Sequence, residues 1–186
     1  LWHNTKVYTI LLKDNFKENI LTYLTILNSK LMWFFLSNTG YTLRGGYFTF
    51  KTKYLENFPI PDLTNSQFST INSQLTSLAD KMLTLNEAFQ KKSSNFIKVV
   101  KQSFALEKVS VKLESFYELD FDGFVKELKQ KITPKLKLEW LEVFEDTKKQ
   151  LLDLKQQIDS TDKEINSLVY QLYGLTDEEI AVVEGK

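Results

Sequence analysis

The spacing of hydrophobic residues in the first part of the chain predicts a strand followed by a helix. The segment TKVYTILLK, residues 5–13, is rich in β-branched and aromatic side chains and contains neither Gly nor Pro, which is typical of a strand. Between Phe16 and Asn38 the apolar residues recur at helical spacing, and Gly40 is placed to end the helix.

A second strand and a proline-containing exit follow. Tyr47, Phe48 and Phe50 predict a strand at residues 46–51. In Phe58-Pro59-Ile60-Pro61 each proline lacks a backbone donor and has a restricted φ, so this segment can continue neither a helix nor a strand and predicts a packed, rigid exit. Residues 1–63 are therefore predicted to form a small mixed α/β lobe.

Residues 64–186 have helical periodicity, with two long apolar seams. Residues 68–89 alternate three- and four-residue spacing, and residues 144–172 carry an apolar side chain every seven residues. The seam positions are Phe68, Ile71, Leu75, Leu78, Met82, Leu85 and Phe89 in the first, and Phe144, Thr147, Leu151, Leu154, Ile158, Thr161, Ile165, Leu168 and Leu172 in the second.

The second seam alternates leucine with threonine at its intervening positions, so it predicts a paired helix. We expect a long antiparallel, coiled-coil-like hairpin in which residues 66–91 pack against residues 139–173, with residues 93–133 at its tip. The predicted fold class is α+β and predominantly helical, with the mixed α/β lobe at residues 1–63 and the helical hairpin at residues 64–186.

Composition excludes several kinds of site. The absence of cysteine excludes disulfides, thiolate metal sites and cysteine nucleophiles, and His3 has no metal-ligand partner at useful spacing. No signal peptide or membrane span is recognisable, so we expect a cytoplasmic location and no membrane partner. Because the chain begins at Leu1 and its only methionines are Met32 and Met82, we expect a piece of a longer protein.

The net charge of zero hides a gradient along the chain. Lys and Arg minus Asp and Glu give 7 − 4 for residues 1–63, 10 − 8 for residues 64–133 and 7 − 12 for residues 134–186. A polyanionic partner is therefore expected at the front of the chain.

Two groups of residues resemble a known family. The first group comprises Leu27-Asn28-Ser29-Lys30-Leu31, Trp33-Phe34-Phe35, Thr42-Leu43-Arg44-Gly45-Gly46-Tyr47 and Leu55-Glu56-Asn57-Phe58-Pro59-Ile60-Pro61. Its order and spacing resemble the TaqI-like C-terminal specificity domain of type II restriction-modification enzymes, especially type IIG-like enzymes that combine methylation and cleavage. The second group, residues 161–165 and 168–176, is similar to the closing segment of the same enzymes.

The resemblance implies a target-recognition domain that grips double-stranded DNA. An upstream methyltransferase domain would flip out an adenine and methylate it with S-adenosylmethionine. The chain contains no Asn-Pro-Pro-Tyr motif and no glycine-rich methyl-donor loop, so this fragment is expected to be non-catalytic and to hold no cofactor of its own.

The loop at residues 39–53 is the best candidate for DNA contact. Arginine can bond a guanine edge, tyrosine and threonine can reach phosphates or bases, and adjacent glycines permit close backbone approach. In the alternative, the glycines make a turn into a strand and the arginine is a solvated charge. The candidate DNA-binding residues are Arg44, Lys51, Lys53, Tyr41, Thr42, Gly45, Gly46 and Tyr47.

Other residues with chemical potential have simpler structural interpretations. Trp33, Phe34 and Phe35 could stack on bases, but their helical spacing favours the core. Asp120 with Glu127 and Lys129 matches a nuclease-like pattern, although Asp120 is better placed to cap a helix. The lysines at 91, 92, 98, 101, 108 and 112, interleaved with Phe96 and Phe104, could follow a DNA backbone or form the solvated side of an amphipathic helix.

Two further functions remain open from the sequence alone. The chain could be a helical interaction or oligomerisation module that docks a partner domain or subunit, and an open docking seam would then produce dimers. A nuclease hidden in the helical region ranks third.

Overall fold

The structure, a computed structural model, describes residues 20–41 and 52–186. Every regular element in these residues is a helix. The α-helices are α1 (Ile20–Leu27), α2 (Lys30–Thr39), α3 (Thr52–Leu55), α4 (Ser69–Ser103), α5 (Val111–Glu114), α6 (Phe121–Glu127), α7 (Pro134–Tyr173) and α8 (Asp177–Val183), with short 3-10 turns at Ser66–Phe68 and Phe116–Glu118.

The predicted α+β fold class, with a mixed α/β lobe, is wrong, because the described part of the chain is helical and contains no strand. The described part of residues 1–63 is bonded to a helix outside that range. Thr22 of α1 donates to the backbone oxygen of Asn72 on α4 at 3.2 Å. The two strands predicted at residues 5–13 and 46–51 lie outside the described residues.

The helix predicted between Phe16 and Asn38 is interrupted, where it is described, at Asn28 and Ser29. Ser29 has an extended ψ of 161°, and its hydroxyl accepts from the Met32 backbone N–H and donates to the Ile26 oxygen at 2.7 Å. A serine that satisfies backbone groups on both sides of a break competes with the helical ladder. The predicted helix is therefore two helices, α1 and α2, bent by 53°.

Within residues 20–41 and 52–186 no single helix is long and apolar enough to cross a membrane. The bent pair α1 and α2, taken as one segment, is the only combination in these residues that reaches the required length and apolar composition.

Both long helices predicted from the seams are present, but the first does not end near residue 91: α4 continues to Ser103, into the segment predicted to form the tip. The helices predicted at residues 66–91 and 139–173 correspond to the start of α4 with its preceding 3-10 turn and to most of α7. All sixteen seam residues are buried or half-buried. Pro134 is the first residue of α7, where its missing N–H breaks no helical hydrogen bond.

The chain divides into two compact units. The first unit comprises Leu1–Lys81 and Thr161–Lys186, and the second comprises Met82–Ser160. The domain ranges 1–63 and 64–186 stay a prediction from the sequence.

The second unit has an aromatic core. Phe96 stacks on Phe116 with ring centroids 4.0 Å apart, and Phe124 lies 4.9 Å from Phe144. Lys92 donates to Gln150, and Phe104 lies 5.0 Å from Trp140, so the α4 and α7 segments in this unit run antiparallel, as predicted. The buried residues of this core are Phe96, Val100, Phe104, Leu113, Phe116, Phe124, Leu128, Phe144 and Leu151.

The first unit contains several buried polar contacts. Thr22, which is fully buried, bonds to the Asn72 side chain at 2.5 Å and lies 3.1 Å from the Thr76 hydroxyl. Asn166, 2% exposed, accepts from the backbone N–H of Lys30 at 2.8 Å. These bonds join α1 to α4 and the start of α2 to α7.

Candidate nucleic-acid interface

Most of the predicted DNA contacts cannot be placed, because Thr42, Arg44, Gly45, Gly46, Tyr47 and Lys51 lie outside the described residues. Tyr41 and Lys53 are described. Tyr41 follows the end of α2 and is 62% exposed, and Lys53 is exposed on α3. Both side chains are therefore available at the surface on either side of residues 42–51.

The end of α2 is well defined. Gly40 donates to the Leu36 oxygen at 2.8 Å and has an extended ψ of 167°, which ends the helix immediately before Tyr41. Leu36 is 1% exposed, so this last turn is fixed to the interior of the unit. The position of Tyr41 follows from this buried turn.

The packed exit predicted at Phe58-Pro59-Ile60-Pro61 is confirmed at Phe58, whereas Ile60 is 46% exposed. Phe58 is 6% exposed and packs against Phe35 at 5.1 Å and Tyr173 at 5.8 Å between ring centroids. The Tyr173 hydroxyl donates to the Pro59 oxygen at 2.7 Å, and burial raises the pKa of Tyr173 above its usual range. These contacts anchor the chain directly after α3, which carries Lys53.

The aromatic run of α2 divides between interior and surface. Phe34 and Phe35 are half-buried, in agreement with the predicted core role. Trp33 is 55% exposed, so core packing was the wrong prediction for this residue. Trp33 lies next to the fully buried Met32, and helical spacing alone did not define where the buried arc of the helix ends.

An apolar groove in the first unit was not foreseen from the sequence. It has a volume of about 590 Å³, and Glu178 and Glu179 lie beside its apolar residues. Residues far apart in the chain form it, so no local pattern could have indicated it. Its lining includes Leu31, Phe34, Phe35, Phe58, Pro59, Tyr173, Leu175, Val182 and Val183.

Glu184, directly after α8, links this end of the chain to α2 and α7. Glu184 accepts from Lys30 at 3.3 Å and from the Tyr170 hydroxyl at 3.3 Å, and its other oxygen lies 3.0 Å from the Lys186 ammonium. The hydrogen bonds from Lys186 and Lys30 lower the pKa of Glu184. Burial, with the nearby negative charge of Glu184, raises the pKa of Tyr170 to about 12.

The nuclease-like residues of the second unit have structural roles. Asp120 caps α6 by accepting from the Gly123 backbone N–H at 2.7 Å, which confirms the predicted cap. Glu127 accepts from the Ser110 hydroxyl at 2.6 Å. Over residues 20–41 and 52–186, no group of three or more His, Asp or Glu side chains could hold a metal ion.

The basic stretch of the second unit separates into two sets of side chains. Phe96 and Phe104 are 6% and 5% exposed and belong to the core. Lys92 is half-buried and bonds to Gln150, whereas Lys91, Lys98, Lys101, Lys108 and Lys112 are exposed.

Family comparisons connect these features to known proteins. Residues 1–60 match the TaqI-like C-terminal specificity domain, so this part of the chain is similar to domains with a DNA sequence-specificity role in restriction-modification. Specificity domains are typically non-catalytic, in agreement with the prediction for this fragment. Residues 69–169 match the family described as Domain of unknown function (DUF8810), and because this match covers more than half of the chain, the protein belongs to that family.

No curated protein and no solved structure matches the chain.

Proposed function

We propose that the chain is the target-recognition part of a type IIG-like restriction-modification adenine methyltransferase, and that it reads DNA without catalysing a reaction. The observation that carries the proposal is the match of residues 1–60 to the TaqI-like specificity domain. The segment with the candidate contacts follows α2 and precedes α3, and both helices pack against each other. Rigid supporting elements favour precise positioning of a recognition segment.

Base reading is assigned to Arg44 and phosphate contact to Lys53. An arginine that bonds a guanine bidentately discriminates by about 1–3 kcal/mol, whereas a lysine on a phosphate contributes equally to every sequence. Tyr41 supplies a further exposed hydrogen-bonding group beside the segment. Thr42, Gly45, Gly46, Tyr47 and Lys51 complete the proposed contact set.

Selection from a pool of randomised duplexes with the full chain tests the proposal. The wild-type chain should enrich one sequence, Arg44→Ala should lose preference at one base pair, and Lys53→Ala should weaken binding to all duplexes alike. Lys149→Ala, an exposed lysine of α7, serves as the matched control and should leave the enriched sequence and the affinity unchanged. Enrichment of no sequence by the wild-type chain would contradict the proposal.

Catalysis belongs, in this proposal, to a methyltransferase domain of the same cytoplasmic enzyme that binds S-adenosylmethionine. The fragment alone should neither bind the methyl donor nor methylate DNA. Incubation with plasmid and Mg²⁺ should leave the plasmid intact. Cleavage that survives Asp120→Asn would indicate a nuclease site elsewhere, and cleavage that this change abolishes would assign one to α6.

The apolar groove favours a second candidate function, which is docking of a partner domain or subunit. A groove of this size with exposed Val182 in its lining is suited to an apolar segment of a partner. Light scattering across a concentration series distinguishes the two functions. A monomer that selects a DNA sequence supports recognition, and a dimer disrupted by Val182→Asp without sequence selection supports the interaction module.

A further inference from the structure

The second unit carries a concentrated positive surface that the target-recognition role of residues 1–60 does not use. Residues 88–113 contain six lysines and a single acidic residue, Glu107, a balance of 6 − 1. Lys92 bonds to Gln150. We call the other five the lysine face: Lys91, Lys98 and Lys101 on α4, Lys108 after its end and Lys112 on α5.

The lysines of this face form no ion pair with any residue that the structure describes. All five are exposed. Three lysines of α7 in the same unit differ: Lys137 pairs with Asp122 at 3.0 Å, Lys148 donates to the Leu119 oxygen at 2.6 Å, and Lys155 lies 3.8 Å from Asp159. Lys135 and Lys149 of α7 are exposed, as the lysines of the face are.

Charge is therefore distributed unequally between the two long helices of this unit. Within this unit, residues 82–103 of α4 contain four lysines and one carboxylate, a balance of 4 − 1, whereas residues 134–160 of α7 contain five lysines and six carboxylates, a balance of 5 − 6. Of these two helices, α4 therefore carries the net positive charge, and a polyanion would be attracted to it more strongly than to the nearly neutral α7.

The spacing of the three α4 lysines suits a sugar-phosphate backbone. Lys98 and Lys101 follow Lys91 by seven and ten residues, which places them on one side of the helix over about 15 Å at 1.5 Å per residue. One DNA strand carries a phosphate about every 3.4 Å along the axis, so the three ammonium groups span about four phosphates. The exposed side chains of Asn95 and Gln102 add hydrogen-bond donors on the same helix.

The aromatic residues of this stretch cannot contribute base stacking. Phe96 and Phe104 lie in the core, with Phe96 stacked on Phe116, so they are withdrawn from the lysine face. Lysine at a phosphate holds a protein on DNA without carrying sequence information. The surface is therefore equipped to hold a duplex and not to read it.

We propose that the lysine face of the second unit binds the phosphate backbone of double-stranded DNA without sequence preference. This deepens the proposed function and rests on it for the identity of the partner, since the same chain resembles a DNA specificity domain. It assigns a role to residues within the match to the family of unknown function, which covers residues 69–169.

The test measures the salt dependence of binding between the full chain and a duplex of arbitrary sequence. The triple variant Lys91→Gln, Lys98→Gln and Lys101→Gln should bind more weakly, and the slope of log K against log salt should become shallower by about 2 to 3, since each phosphate contact contributes about 0.9. Circular dichroism melting confirms that the variant is folded.

The matched control removes the same charge elsewhere in the second unit. Lys131→Gln, Lys135→Gln and Lys149→Gln change three exposed lysines that lie outside the face. The control should retain the wild-type slope. Equal losses in both triple variants would show that net charge alone matters and would overturn the proposal, as would a wild-type chain with no salt-dependent affinity for the duplex.

A lipid partner is distinguished with vesicles of equal parts phosphatidylserine and phosphatidylcholine. The wild-type chain should bind DNA more tightly than vesicles. Tighter binding to vesicles that the lysine-face variant abolishes would overturn the assignment.

Failure of the target-recognition proposal can be distinguished from failure of this one. Target recognition predicts sequence selection that depends on Arg44, whereas the lysine face acts equally on every duplex. If the wild-type chain selects no sequence but the lysine-face variant still lowers the salt slope, only the target-recognition proposal is refuted.

Discussion

The contacts inside the first compact unit differ in kind from those inside the second. In the second unit the centre is a set of packed rings, with Phe96, Phe116, Phe124 and Phe144 all almost fully buried. In the first unit the contacts between helices include specific hydrogen bonds of buried polar groups, notably Asn166 to the Lys30 backbone. The stability that an apolar core provides depends on how completely its volume is filled. The stability that a buried hydrogen bond provides depends on a particular donor and acceptor being in the right position.

The largest expected effect is the loss of a ring from the second unit. Phe124 is fully buried, 4.9 Å from Phe144 and 5.9 Å from Phe96 between ring centroids, so Phe124→Ala should lower the free energy of unfolding by about 3–5 kcal/mol. Urea denaturation measures the change. Val111→Ala, at a position 80% exposed, is the control and should change stability by less than about 0.5 kcal/mol.

The next effect tests the polar contacts of the first unit. Asn166→Ala removes the acceptor of the Lys30 N–H at the start of α2 and should cost about 1–3 kcal/mol, because that donor is left without its partner. Asn86→Ala is the matched control, since Asn86 is exposed and bonds only to the Met82 oxygen of its own helix. If both variants melt at the same temperature, the buried bond does not stabilise the unit.

A smaller effect is expected at the C-terminal ends of the two long helices. Their closing turns differ in which residue type takes the left-handed conformation. The last turns close similarly, with Leu106 donating to Lys101 and Leu175 to Tyr170, but the left-handed residue is Ala105 (φ 47°) in one and Gly174 (φ 65°) in the other. Ala105→Gly should raise the free energy of unfolding by about 1 kcal/mol and Gly174→Ala should lower it by a similar amount. A Cβ at Gly174 meets nothing within 4 Å, so the second change isolates backbone strain.

Calorimetry of the two variants measures both shifts. Shifts of the same sign would show that the left-handed conformation is not the controlling factor at these turns.

The smallest effect concerns the carboxylate directly after α8. The pKa of Glu184 is lowered in the folded protein, so its ionised form stabilises the fold above the ordinary value of 4.5, and this stabilisation is lost as the pH falls through the folded pKa. Glu184→Gln should therefore melt below the wild type at neutral pH. The difference should narrow as the pH falls below about 4.5, and a constant difference between pH 7 and pH 3 would contradict the assignment.

Sequence periodicity predicted the long helices well and the first lobe poorly. The seams of α4 and α7 repeat over many turns, so their buried sides were evident, and the Asp120 cap followed from a local turn signal. The break at Ser29 was missed because apolar spacing continues across it. The exposure of Trp33 was missed because a helical pattern does not define the width of the buried arc.

The candidate site was predicted only as a set of residue types. Tyr41 and Lys53 are exposed, as a contact role requires, and the contact role of all eight residues stays a prediction. The apolar groove could not be predicted, because it forms only where α2, Phe58 and α8 pack around the end of α7. These segments are far apart in the sequence.

The sequence by itself determined that there are two long helices, which of their seam positions are apolar and how many lysines the stretch at residues 88–113 carries, because these properties depend on neighbouring residues. The tertiary structure decided which charges are paired and which aromatic rings are buried. Lys137 pairs with the Asp122 carboxylate across fifteen positions of the chain, whereas Lys98 forms no ion pair in the described residues. Pairing and burial depend on groups brought together by folding, so only the assembled unit separates a neutralised lysine from one available to a partner.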